Sequence, residues 1–123
     1  MNRQRTALII DDEQDICYLL GKMLSVRSIQ TETSYTIRDG LNKLKELSPS
    51  ILFLDIHLPD GSGMEYLHQI RTSFPKLFIV LMSAYDGAEE KNKALNKGAD
   101  FFLPKPFQRE IVDELINTSL LTS

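Results

Sequence analysis

The chain has 123 residues, 42% of them hydrophobic and 25% charged, which is enough for one domain with a real core and too little for two. A net charge of −3, with fourteen basic residues that form no dense cluster, argues against a nucleic-acid-binding surface. No apolar run approaches the roughly 20 residues needed to span a bilayer, Met1 to Thr6 lead into only a brief apolar stretch rather than a signal-peptide pattern, and the single cysteine, Cys17, suits a reducing cytoplasm.

Apolar runs alternate with helical patterns along the chain. Ala7 to Ile10 reads as a buried strand, and Ile16, Leu19, Leu20, Met23 and Leu24 then share a helical face on which Cys17 is a small packed side chain. Ile29 to Ser34 is polar and Thr-rich, which suits a sheet edge. A second helix carries Ile37, Leu41, Leu44 and Leu47 and stops at Ser48-Pro49. Ile51 to Leu54 is a third strand, followed by a helix with Met64, Leu67, Ile70 and Phe74 that Pro75 ends. Leu77 to Met82 is the longest β-like run and predicts a central strand covered on both faces. Asp86 to Lys97 is a weakly amphipathic helix, with Ala88 and Leu95 as its inward candidates and Gly98 as its stop. Phe101 to Leu103 is a short strand, and Ile111, Val112, Leu115 and Ile116 stripe a last helix. Five βα units in series predict a single α/β domain, a doubly wound parallel sheet with helices on both faces.

In such sheets, ligands bind beyond the carboxyl ends of the strands. Asp11-Asp12, Asp55, Ser83 and Lys105 all fall at those ends. Taken singly, each has a plain structural use. Asp11-Asp12 can cap a helix and Asp55 can cap a turn, though Pro59 and Gly61 separate it from the next helix. Ser83 suits a turn, Lys105 a solvated loop, and Phe102 the core. Taken together, three carboxylates in one crevice would repel unless a cation sat among them. Hard oxygen ligands without histidine or thiolate favour Mg²⁺, or its analogue Mn²⁺. A carboxylate such as Asp55 can attack phosphorus to give an acyl phosphate, leaving the protein to position groups and neutralise charge. Lys105, between Pro104 and Pro106, is rigidly directed, and Lys105-Pro106 is a candidate cis peptide.

These residues together resemble the receiver domain of two-component response regulators. The resemblance rests on Ile9-Ile10-Asp11-Asp12-Glu13, Leu54-Asp55-Ile56-His57-Leu58-Pro59, Gly61-Ser62-Gly63, Met82-Ser83-Ala84, Gly98-Ala99-Asp100 and Lys105-Pro106-Phe107, and it runs from about Thr6 to Leu120. It implies one receiver domain over residues 1–123, a flavodoxin-like (βα)5 fold with strand order 2-1-3-4-5, and a cytoplasmic signalling switch rather than an enzyme. It further implies Asp55 as phosphoacceptor from a sensor histidine kinase or phosphotransfer protein, with Asp11, Asp12, Asp55 and the His57 backbone carbonyl around Mg²⁺. Ser83 and Lys105 would bind the phosphoryl oxygens, and Phe102 would be the residue that turns inward. The fourth helix, fifth strand and fifth helix would carry the signal, and through them a homodimer could form, without membrane or direct nucleic-acid contact. His57 and Tyr85 stand where receivers tune phosphoryl lifetime, and their bulk predicts slow self-dephosphorylation. Receivers joined to winged-helix DNA-binding domains usually carry an arginine midway along the last helix, where this chain reads Val112-Asp113-Glu114-Leu115. Leu103 to Phe107 is similar to receivers of sigma-54-dependent activators.

Rival readings are less complete. A haloacid-dehalogenase-type phosphohydrolase needs a second aspartate two residues after its nucleophile, and position 57 is His. A flavodoxin-like nucleotide module needs a glycine-rich loop after the first strand, where this chain has Asp11-Asp12. A receiver-like fold acting by contact alone would not need the acidic cluster, Ser83 and Lys105.

Overall fold

The structure, a computed structural model, describes residues 5–84 and 87–122, so Tyr85, expected to tune phosphoryl lifetime, and Asp86, the expected start of the fourth helix, lie outside the described residues. In chain order the elements are β1 (Arg5–Ile10), α1 (Gln14–Val26), β2 (Ile29–Ser34), α2 (Ile37–Leu47), β3 (Ile51–Asp55), β4 (His57–Leu58), β5 (Gly61–Ser62), α3 (Gly63–Ser73), β6 (Phe78–Ser83), α4 (Ala88–Lys97), β7 (Phe101–Pro104) and α5 (Arg109–Thr122). The main sheet runs β2-β1-β3-β6-β7 with every neighbouring pair parallel. This is the expected order once the antiparallel hairpin β4–β5 is set apart. Sequence patterning did not reveal that hairpin, because two-residue strands carry no periodicity to read.

Side-chain alternation divides the core in two. Ala7 and Ile9 of β1 join Phe53, Val80 and Leu103 under α1 and α5. Leu8 and Ile10 point the other way, joining Leu52, Leu54, Leu81 and Phe102 under α2, α3 and α4. Strands β3 and β6 are buried along their whole length, which explains their unbroken apolar runs. Each fully buried Leu, Ile or Phe is worth about 1.5–3 kcal/mol over its exposed state.

Two helices on the second face differ. α2 buries Ile37, Gly40 and Leu44, and its Thr36 hydroxyl accepts from the Asp39 amide. A Cβ at Gly40 would collide with the Ile10 side chain, so glycine lets this helix lie close on β1. α4 buries Ala94 alone, while Ala88 and Leu95, the expected inward positions, are exposed. The reason is helical phase: with no apolar stripe to fix its rotation, α4 seats its smallest interior side chain, Ala94, against Ala99 and Phe102.

One row of the register explains the site. Ile10 pairs with Leu54, Leu54 with Leu81, and Leu81 with Phe102. One residue beyond that row come Asp11 and Asp55, then Asp12 and Ser83, then Lys105. Parallel strands in register therefore deliver all five to the carboxyl end of the sheet.

Candidate functional site

The site grows from the ends of four strands, β1, β3, β6 and β7. Asp11 leaves β1 with its amide donating to the Ser34 carbonyl at 3.0 Å, and its Oδ1 accepts from the Glu13 amide at 2.9 Å. It is wholly buried, whereas Asp12 beside it is exposed. Asp55 is the last residue of β3 and only 4% exposed. Its carboxylate accepts from the backbone N–H of His57. A Cβ at Gly63 would strike the Asp55 carbonyl, and the Gly63 amide donates to the Ile56 carbonyl at 2.8 Å. Glycine at 63 thus lets α3 begin directly behind the acceptor strand.

Lys105 enters from the far edge. Its amide donates to the Ser83 carbonyl at 2.7 Å, which fixes the two residues together, and the Lys105-Pro106 bond is cis. Its ammonium lies 2.8 Å from Asp11 Oδ2, 3.0 Å from Glu13 Oε1 and 3.4 Å from Asp55 Oδ1. Burial by itself would lower the Lys105 pKa, but hydrogen bonds to Asp11 and Glu13 outweigh it and raise it, so the side chain stays charged. Glu13 as a partner of this lysine is legible only in three dimensions, because the two stand 92 residues apart.

Electrostatics follow from this crowding. Burial, then the charge of Asp11, lifts the Asp55 carboxyl from an ordinary 3.8 to about 6, with Lys105 and the His57 amide opposing. Cys17 lies below, its thiol 3.4 Å from the Asp11 carbonyl, and burial pushes its pKa up to about 11. It is an unreactive packed side chain, as its helical position implies.

Asp11, Asp12 and Asp55 can each place one oxygen so that all three lie within 4.8 Å of one another. The donors are hard oxygens throughout, and the buried Asp11 Oδ2 has the Lys105 ammonium as its counter-charge. This donor set fits a hard divalent cation of the Mg²⁺ type. Ser83 is fully buried at the end of β6, and Phe102 is buried one strand away, packed with Ala94 and Ala99. The His57 side chain is exposed at the rim; Tyr85 lies outside the described residues.

One further contact was not foreseen. Asp60, at the tip of the β4–β5 hairpin, accepts from the Ile37 amide at 2.8 Å and the Arg38 amide at 3.0 Å, so it grips the N-terminus of α2. Those two bonds hold the Asp60 pKa below its usual value. A Pro-Asp-Gly tip announces a turn but not its distant partner.

Residues 7–117 match the family model of the response regulator receiver domain. The chain is 32% identical over 120 residues to the response regulator protein PilR of Pseudomonas aeruginosa, covering 98% of this chain and 27% of PilR. A two-component response regulator from Clostridium difficile has a similar structure, with a TM-score of 0.90 and 30% identity over 96% of this chain and 97% of that one. The beryllofluoride-activated NtrC4 receiver domain dimer gives a TM-score of 0.89 at 29% identity, over 96% of this chain and 98% of that one. The chain spans about a quarter to a half of the length of the curated relatives it matches.

Proposed function

The chain belongs to the response regulator receiver domain family of two-component systems, and on that premise we propose that it is a switch whose phosphoacceptor is Asp55. The observation that carries this reading is the company of Asp55: a buried carboxylate at a strand end, 3.4 Å from a fixed ammonium and beside two further carboxylates. The donor is a phosphohistidine on a sensor kinase or phosphotransfer protein. An oxygen of Asp55 attacks phosphorus, the new P–O bond forming as the P–N bond breaks, and the imidazole leaves with the electron pair and takes a proton. A carboxyl titrating near 6 is ionised at neutral pH and remains basic enough to attack.

Asp11, Asp12, Asp55 and the backbone carbonyl of His57 would hold Mg²⁺ or Mn²⁺. When bound, the cation supplies charge to offset the carboxylates and the incoming phosphoryl oxygens. Lys105 already lies between Asp11, Glu13 and Asp55, so a phosphoryl group on Asp55 meets an ammonium that needs only a small shift. The Ser83 hydroxyl, fastened beside Lys105 through the backbone, donates to a second phosphoryl oxygen. As Ser83 moves toward the phosphoryl group, Phe102 turns further inward and the face of α4, β7 and α5 changes. That face contacts the output partner, which a second copy of the chain could be. The domain covers residues 1–123, works in the cytoplasm, and needs no nucleic-acid contact of its own. His57 at the rim, with Tyr85, hinders an in-line water and prolongs the phosphoryl lifetime; a lifetime unchanged in the His57→Ala/Tyr85→Ala double variant would remove that role.

The test of the acceptor is incubation with acetyl phosphate and Mg²⁺, read by intact mass. One added phosphoryl group, absent in Asp55→Asn, is the expected result. Addition that persists in Asp55→Asn, or none in the parent chain, would refute it.

A further inference from the structure

The hairpin that follows the acceptor is held at both arms and at its tip. Its first arm begins at His57, whose amide donates to Asp55. Its second arm runs into α3, with the Ser62 hydroxyl accepting from the Met64 amide at 3.2 Å. At the tip, the two oxygens of Asp60 take the amides of Ile37 and Arg38. Gly61 sits in the left-handed region, with φ of 151°, and a Cβ there would lie 3.2 Å from the Ile37 side chain. α2 in turn rests through Gly40 on Ile10, the residue before Asp11. The contacts form a continuous path from Asp55 through His57, Asp60, α2 and Ile10 to Asp11.

Helix capping does not require this reach. Thr36 already serves as N-cap of α2, accepting from the Asp39 amide at 3.1 Å. A second acceptor arriving from more than twenty residues away does something Thr36 cannot: it fastens the hairpin to the frame that carries Asp11.

We propose that Asp60 is a positioning residue for the cation site, clamping the hairpin so that the His57 backbone presents its N–H to Asp55 and its carbonyl to the metal. This rests on the reading of the acidic cluster given above. Groups that orient ligands from one shell out typically change metal affinity by about 10–100-fold. A hairpin released at its tip leaves His57 free to shift, and the carbonyl is then a poorer ligand.

The experiment titrates Mn²⁺ into the full chain, followed by electron paramagnetic resonance, alongside the amide shift of His57 in the metal-free protein. Asp60→Ala is expected to weaken Mn²⁺ binding about tenfold and to move the His57 amide resonance. Asp60→Asn, which keeps one acceptor oxygen, is expected to fall between and carries the test if the alanine variant does not fold. Thr36→Ala loosens the same helix end without touching the hairpin, and should leave Mn²⁺ affinity within twofold of the parent. Equal affinity in the Asp60 variants and the parent, or equal weakening by Thr36→Ala, would overturn the inference while leaving the acidic cluster standing. A parent chain that binds no Mn²⁺ would overturn the cluster reading and this inference with it.

Discussion

α2 and α4 lie on the same face of the sheet and are nearly equal in length, yet they are held in different ways. α2 packs Ile37, Gly40 and Leu44 inward, has its own threonine cap, and is gripped at its first turn by Asp60. α4 packs Ala94, begins at Gly87 without a side-chain cap, and displays Glu89, Lys91, Lys93 and Leu95 to solvent. Local stability follows buried apolar contact. α2 is thus the more firmly held of the two, a frame for the site, and in the switch proposed above α4 is the element that shifts when the site changes. A receiver needs both, since a readout surface can move only against something that does not.

The same substitution in the two helices should expose the contrast. Leu44 is fully buried, so Leu44→Ala is expected to cost about 2–5 kcal/mol in urea denaturation. The site between them should show the next effect. The Asp55 carboxyl titrates near 6 in the folded chain and near 3.8 otherwise, so the folded state holds the proton more tightly. Its contribution to stability is full below about pH 4 and is lost as pH rises through 6. In EDTA at pH 7.5, Asp55→Asn should therefore stabilise the protein by about 2–3 kcal/mol. That gain should shrink from pH 6 downward, and a gain that grew instead would contradict the assigned cause. Thr36→Ala should cost about 1 kcal/mol, confined to the start of α2 and visible as faster amide exchange there. Leu95→Ala in α4, where the side chain is 40% exposed, should change stability by less than about 1 kcal/mol. Equal losses at Leu44 and Leu95 would remove the distinction between frame and moving part.

The sequence carried some of these features openly and hid others, for physical reasons. Strands β3 and β6 are buried on both faces, so their apolar runs are continuous and their polar ends conspicuous. That is why the pattern alone places Asp55 and Ser83 at the carboxyl ends of neighbouring strands. Asp11, Asp12 and Lys105 followed from the same rule about strand ends. α4 lacked an apolar stripe, so nothing in its spacing favoured Ala94 over Ala88 or Leu95. Glu13 and Asp60 were hidden for another reason: each acts on a partner distant in the chain, Lys105 for one and the Ile37 and Arg38 amides for the other. Such pairings depend on how elements pack, and short-range pattern does not encode them.

The most direct test is hydrogen exchange followed by mass spectrometry, with and without beryllofluoride and Mg²⁺ as a mimic of the phosphoryl group on Asp55. Exchange in peptides covering α4 and β7 should change severalfold on addition, while peptides covering α2 and the β4–β5 hairpin should keep their protection. A response concentrated in α2, with α4 unaffected, would contradict the account.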